Sequence, residues 1–319
     1  MTRSKRASLL AAAVCALPQV AAACSSCGCS ISTDWATQGL GGGEGWRIDF
    51  RYDYINQNQL RTQTGTVDKG SFVLPNPDQE LQQNTTTRAY SVFVDYSPRP
   101  EWGVGVQVPY FDRNHTTIAP GDTDISTSNT ESLGDVRVLG RYLGFSKDRS
   151  WGIQAGLKLA TGSYHNNFIA GPQAGNPLDR GLQPGTGTTD LLVGAFKFGS
   201  LSRDWDYFGQ VLLQQPLNTV EDFKPGTGLN VNFGVRYMSF EHVIPHIQIN
   251  SRMEKRESGA NADVDNSGAT LVYLSPGVTV HVAKALQVFG FVQVPIYQNV
   301  NGFQLEPHYT VSVGARLSF

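Results

Sequence analysis

Trp46-Arg47-Ile48-Asp49-Phe50-Arg51-Tyr52-Asp53-Tyr54 alternates without a slip. In an extended chain successive side chains point to opposite faces. Trp46, Ile48, Phe50, Tyr52 and Tyr54 therefore share one face, and Arg47, Asp49, Arg51 and Asp53 share the other. A soluble sandwich would bury the apolar face and leave the charges in water. A membrane barrel would turn the apolar face to lipid and the charges inward, where opposite signs pair. This strand alone leaves both readings open.

The surrounding sequence separates them. Period-two stretches fall near residues 46–55, 86–97, 102–112, 134–145, 151–161, 188–199, 205–215, 229–240, 243–254, 270–282, 286–297 and 307–319. Their connections alternate long and short without exception. The short ones, such as Ser97-Pro98-Arg99-Pro100-Glu101, Glu241-His242 and Ala283-Lys284-Ala285, are polar turns; the long ones are rich in Asn, Gly, Thr, Asp and Pro. Short periplasmic turns opposite long external loops are the pattern of outer-membrane barrels, and an even strand number leaves both termini in the periplasm. The last strand alternates again, with Tyr309, Val311, Val313, Ala315, Leu317 and Phe319 on one face and an aromatic residue at the end. Barrel-assembly machinery recognises such endings. The fold predicted is all-β: a transmembrane antiparallel up-and-down barrel of about twelve strands over residues 46–319, closed so that no sheet edge is exposed. Its surroundings would be outer-membrane lipid and lipopolysaccharide in a Gram-negative cell.

The start of the chain reads as an export signal: basic Arg3, Lys5 and Arg6, apolar Leu9 to Leu17, then the small residues Ala21-Ala22-Ala23. Residues 1–23 are thus expected to be removed, leaving a periplasmic leader over 24–45 ahead of the barrel. No later run reaches the roughly 18 apolar residues of a spanning helix, so a membrane crossing has to use strands. A net charge of −2 lacks the basic footprint of nucleic-acid binding, which removes that partner class.

The leader carries Cys24-Ser25-Ser26-Cys27-Gly28-Cys29, three thiols within six residues. Thiolates favour soft metals, so Cu(I) or Zn at Cys24, Cys27 and Cys29 is one expectation, with the new amino terminus as a fourth donor. A disulfide within the motif, acylation of Cys24 after Ala22-Ala23, and a mixed disulfide or structural knot are the alternatives. Three cysteines fall one short of an iron–sulfur site, and no Cys-x-x-Cys-His for haem attachment occurs. Ser30 to Gly45, with Asp34, Trp35 and the glycines from Gly39, reads as a tether, either loose or folded up into the barrel.

Strand parity assigns Arg47, Asp49, Arg51, Asp53, Asp95, Asp135, Arg137, Arg141, Lys158, Lys197, Arg236, His246, Arg252 and Arg316 to the lumen. Twelve strands enclose a narrow interior. These charges then either line a slim conduit of slight anion preference or pair and fill it. Asp122-Thr123-Asp124 and Asp263-Val264-Asp265-Asn266 read as solvated loops, and His115 and His165 as surface residues of external loops. No lipid-facing His accompanies a nucleophilic Ser, and Ser163 near His165 is a loop coincidence, so no catalytic residue is assigned and no enzyme is expected.

Two stretches carry a resemblance. Leu133-Gly134-Asp135-Val136-Arg137 running to Tyr142, and Pro276-Gly277-Val278 through Gln293-Val294-Pro295-Ile296-Tyr297 and Asn301-Gly302 to Phe319, resemble the outer-membrane barrel family named for meta-pathway phenol degradation. The resemblance implies a barrel that passes small molecules; the cysteine leader is not general in that family. The function expected is a channel for a small solute or metal ion with a metal-handling leader. Alternatives are a channel for small organic, aromatic compounds with a structural or lipidated N-terminus, and a scaffold that docks a periplasmic redox or metal partner.

Overall fold

The computed structural model describes Gln38 and residues 43–319. Within them the strands are β1 (Gly45–Gln63), β2 (Gly65–Thr66), β3 (Leu81–Arg99), β4 (Trp102–Ile118), β5 (Ser126–Leu133), β6 (Arg137–Tyr142), β7 (Trp151–Lys158), β8 (Asp190–Ser200), β9 (Trp205–Pro216), β10 (Gly228–Tyr237), β11 (Val243–Glu254), β12 (Ala269–Ala283) and β13 (Leu286–Ser318). Eleven of them form one antiparallel wall, which closes where β13 pairs with β1. Two stand outside it: β2 pairs only with β1, and β5 extends along the outer half of β4 above β6. β13 crosses the wall twice. Leu286 to Val300 pairs with β12 and Phe303 to Ser318 with β1, the chain reversing at Asn301-Gly302, where Gly302 has φ of +56°. The chain therefore makes twelve passes.

Several boundaries differ from the sequence reading. The connection at 297–307 is a tight turn, not a long loop, because an Asn-Gly pair supplies the left-handed backbone a two-residue reversal needs. The alternation of long and short connections thus has one exception. β1, β3 and β4 also run well past the ends expected for them, to Gln63, back to Leu81 and on to Ile118. There polar residues predominate, so periodicity is silent, while the backbone ladder continues, Thr116 pairing with Asn84 and with Thr127, and Leu60, Leu81, Ile118 and Leu305 bury against one another.

The outward face shows why this wall sits in a membrane. Phe50, Val104, Phe233, Ile249 and Val313 lie 46–53% exposed on successive parts of the wall. At the end with the short turns, aromatic rings form a girdle: Trp46 stacks on Tyr96 at 4.5 Å, Trp102 lies 4.5 Å from Tyr142, Phe145 stacks on Trp151 at 4.6 Å and Trp205 lies 5.1 Å from Tyr237. At the other end Tyr52, Tyr90 and Tyr110 are in register across three strands. Trp102 and Tyr110 are eight residues apart on β4, which at about 3.3 Å per residue and a tilt of about 40° separates the girdles by roughly 20 Å. Beyond Tyr110 the outward residues become Asp112 and Asn114, and Arg88 meets Asp112 at 3.0 Å in solvent. An apolar band between aromatic belts, on a wall without free edges, is the outer-membrane solution to satisfying every backbone group in lipid. The chain is a Gram-negative outer-membrane β-barrel.

Closure is completed at the last residue, where Phe319 N donates to Trp46 O at 2.9 Å and Trp46 N to Phe319 O at 3.2 Å. On the inner face, large side chains lie flat across glycines of neighbouring strands: Phe93 over Gly105, Phe196 over Gly152, Phe208 over Gly234, Phe289 over Gly314 and Arg141 over Gly103. A Cβ at any of these glycines would overlap the group above it. The abundance of Gly in the sequence is in part an interior packing device.

Candidate functional site in the barrel interior

At the inner mouth, three adjoining strands and β6 build a ladder of ion pairs. Arg316 on β13 holds Asp49 of β1 through both oxygens, Nη2 to Oδ2 at 2.8 Å. Two residues back, Arg47 reaches Asp95 of β3 at 2.7 Å, and Arg141 of β6 reaches the same carboxylate, Nη2 to Oδ1 at 2.7 Å. Arg141 gets there only because Gly103 leaves the intervening β4 bare at that point. Ser97 accepts from both arginines. Higher on β1, Arg51 pairs with Asp53 at 2.7 Å and Ser312 donates to that carboxylate. A buried charge left alone is costly, and here each carboxylate answers at least one guanidinium.

At the outer mouth the segment 159–189, between β7 and β8, folds back over the barrel. One anchor is Asp135, in the break between β5 and β6; another is the backbone bridge of Ala170 to Thr127 on β5. Asp135 accepts from Lys158 Nζ, Gly162 N, Thr186 N and Thr186 Oγ1, each at 3.0 Å. Lys158 also meets Asp190 at 3.1 Å. Gly134, Gly162 and Gly185 pack backbone to backbone beside this carboxylate, an approach that no side chain would permit. Farther along, Arg113 on the inner face of β4 donates to the carbonyl of Leu182 at 2.8 Å, and Phe168 lies 6.4 Å from the His115 ring. Phe168, Leu178 and Leu182 are buried. Outside, Arg180 joins this segment to the 217–227 loop: it lies on Tyr164 and Phe223 and donates to Glu221 at 2.8 Å. His165 bonds the same carboxylate at 2.9 Å, and that bond, with Arg180 behind it, holds the Glu221 carboxyl below its ordinary value.

The wall from β7 to β13 is different. Its inner face mixes Leu192, Phe196, Phe208, Leu212, Ile244, Phe289 and Phe291 with the amides Gln154, Gln210, Gln248, Asn250 and Gln293, all buried. Gln154, Gln248 and Gln293 are each 2% exposed, Asn250 and Ser275 0% and, across the barrel, Asp95 1% and Ser312 0%. Side chains at these positions have almost no surface left for solvent. In this conformation the interior is packed at these levels, not an open aqueous bore.

Of the residues assigned to the lumen by parity, Arg47, Asp49, Asp53, Asp95, Asp135, Arg141, Lys158, Arg236, His246, Arg252 and Arg316 are buried on the inner face, and Arg51 and Arg137 half-buried there. Arg252 meets Glu254 at 3.0 Å, and Arg137 stands in register with Gln107 and Lys158. Lys197 is a correction. It is exposed on the outer face beside Trp151, because β8 points Leu192 and Phe196 inward and so reverses the expected polarity. His115 is another: it is 1% exposed on β4, its Nδ1 bonded to Thr85 Oγ1 at 2.8 Å, where an external loop was expected. Arg113 and Glu80 escaped the sequence reading because they lie beyond the strand ends expected at 112 and 86, and Asp190 because reading Lys197 as inward gave it the opposite parity. Ser163 accepts from Asn166 at 3.0 Å, while His165 faces Glu221. Asp122 accepts from Gln173 at 2.6 Å, and burial pushes the Asp263 carboxyl up. Among the described residues no group of three or more His, Cys, Asp or Glu is arranged to hold a metal ion. The signal segment, Cys24, Cys27, Cys29 and Trp35 lie outside the described residues.

Comparison with solved structures agrees with the class defined by the wall. An outer-membrane channel from Pseudomonas putida F1 superposes with a TM-score of 0.61 at 11% identity, over 86% of this chain and 96% of that one. The β-domain of the Bordetella autotransporter BrkA superposes with a TM-score of 0.50 at 14% identity, over 86% of this chain and 100% of that one. One is a channel and the other part of an autotransporter, so the likeness is one of fold. No protein-family model matches the chain, and no curated protein does.

Proposed function

We propose that this barrel is a gated channel for small organic solutes, as the resemblance to the phenol-degradation barrel family also implies. The carrying observation is the 159–189 segment, which at the outer mouth lies against the inner face of β4 and is held by Asp135, by Arg113 and by a backbone bridge between Ala170 and Thr127. The segment is not a strand of the wall, so it can move without unpairing the barrel. The apolar and amide surface from β7 to β13 suits uncharged or amphipathic solutes better than hydrated metal ions, which need clustered oxygen or sulfur donors. Proteoliposome swelling tests this reading. Wild-type protein should pass arabinose slowly, and a variant with residues 163–187 replaced by a short Gly-Ser linker should pass it several-fold faster. Equal swelling by both and by protein-free liposomes would overturn the channel.

The leader belongs to the same reading as a soft-metal site, resting on the spacing of Cys24, Cys27 and Cys29 alone. The native intact mass of protein purified without chelator should show a metal adduct that disappears when the three cysteines are replaced by Ser. An acyl mass, or a loss of two hydrogens without metal, would reduce the leader to an anchor or a disulfide.

A further inference from the structure

The cations of the interior are answered by carboxylates or carbonyls, with one difference. Arg236, on β10 near the inner mouth, is 3% exposed, and its nearest carboxylate, Asp206, stands 3.7 Å from Nε, beyond hydrogen-bond distance. Asp206, the register partner of Arg236 on β9, is half-buried and faces Nε as an ion pair at that distance, with Oδ1 taken by Ser200 at 2.7 Å. Among the described residues only Nη2 of Arg236 donates, and its acceptor is the backbone carbonyl of Gln38, itself 5% exposed, from the leader. Nε and Nη1 have no hydrogen-bond partner among the described residues. Leaving two guanidinium donors idle away from water is unfavourable, and a site that keeps them so is organised for an acceptor that is not part of the wall.

We propose that Arg236 is the recognition group of a binding site at the inner mouth for a small aromatic or apolar monocarboxylate. A carboxylate matches the guanidinium fork through two parallel bonds, as Asp49 does on Arg316. Taking the Nη1–Nη2 edge, it displaces the Gln38 carbonyl, which now holds the place of one carboxylate oxygen, and it stays clear of Asp206, which faces Nε. The body of the ligand is specified by the surroundings. The Phe208 ring lies 5.4 Å from the guanidinium carbon, and Ile244 is buried on the same face of β11 as His246, the register partner of Arg236. A hydrated inorganic anion gains nothing from those apolar walls, whereas a ring or short alkyl chain does.

The inference rests on the channel reading for its purpose, but binding is separable from conduction. Calorimetry on the full-length protein in detergent, with benzoate, its neutral isostere benzamide, and chloride as probes, should show benzoate bound at least about tenfold more tightly than benzamide, the factor of one charge-assisted contact. Arg236→Lys should weaken benzoate about tenfold by losing the fork, and Arg236→Met should abolish the preference over benzamide; heat-modifiable migration verifies that each variant is a folded barrel. Wild-type protein that does not distinguish benzoate from benzamide or chloride overturns the proposal with no variant needed, as does an Arg236→Met barrel that keeps the preference. Benzoate binding without solute passage in liposomes would overturn the channel and leave the site standing.

Discussion

Asp135→Ala should loosen the outer cover at the break between β5 and β6 while leaving the barrel closed and the bonds from Arg113 and Thr127 in place. The carboxylate accepts four hydrogen bonds, two from backbone nitrogens of the 159–189 segment, one from Thr186 Oγ1 and one from Lys158. Hydrogen bonds to a buried charge contribute about 1.5–3 kcal/mol each and are not additive, so loss of the set costs on the order of 3–5 kcal/mol. That cost falls on the cover rather than the wall, because Lys158 keeps Asp190 at 3.1 Å and the β7–β8 ladder does not involve Asp135. Trypsin cutting at Arg180 should therefore become much faster, and bilayer conductance should rise several-fold, with heat-modifiable migration unchanged. Asn at this position keeps one acceptor oxygen and should fall between. A variant whose cover stays protected while the whole barrel loses heat modifiability would show that Asp135 supports the wall and gates nothing.

The parts legible in the sequence are those where one physical constraint acts along a strand. Trp46 to Tyr54 alternates because lipid lies on one side and paired charges on the other, and all eight of Arg47 to Tyr54 take partners in β3 and β13. The outer extensions of β1, β3 and β4 were not legible, since beyond the membrane mostly polar stretches carry single apolar residues, and Leu60, Leu81, Ile118 and Leu305 become one buried cluster only when the strands have paired. Nor was the cover. Gly134, Gly162 and Gly185 are spread over fifty-two positions of sequence, and their contact exists only after the segment has folded back. Asp135 could be placed on the inner face by parity, but its role as an anchor comes from partners that periodicity does not reveal. Lys197 shows the converse: a charged residue on a strand was read as inward because charge usually is, whereas β8 buries Leu192 and Phe196 instead.

Asp95→Ala should be the most damaging single change in the wall. Arg47 and Arg141 are 5% and 7% exposed and converge on this one carboxylate from strands on either side of it. Removing it leaves two like charges facing each other out of water, a loss of about 3–5 kcal/mol by comparison with other broken buried pairs. Ser97 accepts from both arginines but carries no charge to oppose them. The expected readout is a marked fall in the temperature at which the barrel unfolds on heat-modifiable gels, together with less assembled protein in the membrane. The ladder is favourable only as a complete set, so apolar replacement of the whole set should be milder than the single change. Arg47→Met, Asp95→Leu and Arg141→Met combined should unfold at a higher temperature than Asp95→Ala alone. The opposite order would mean that these charges are needed individually, through contacts with something that passes between them, and would move the selectivity of the channel from its amide wall to its ion pairs.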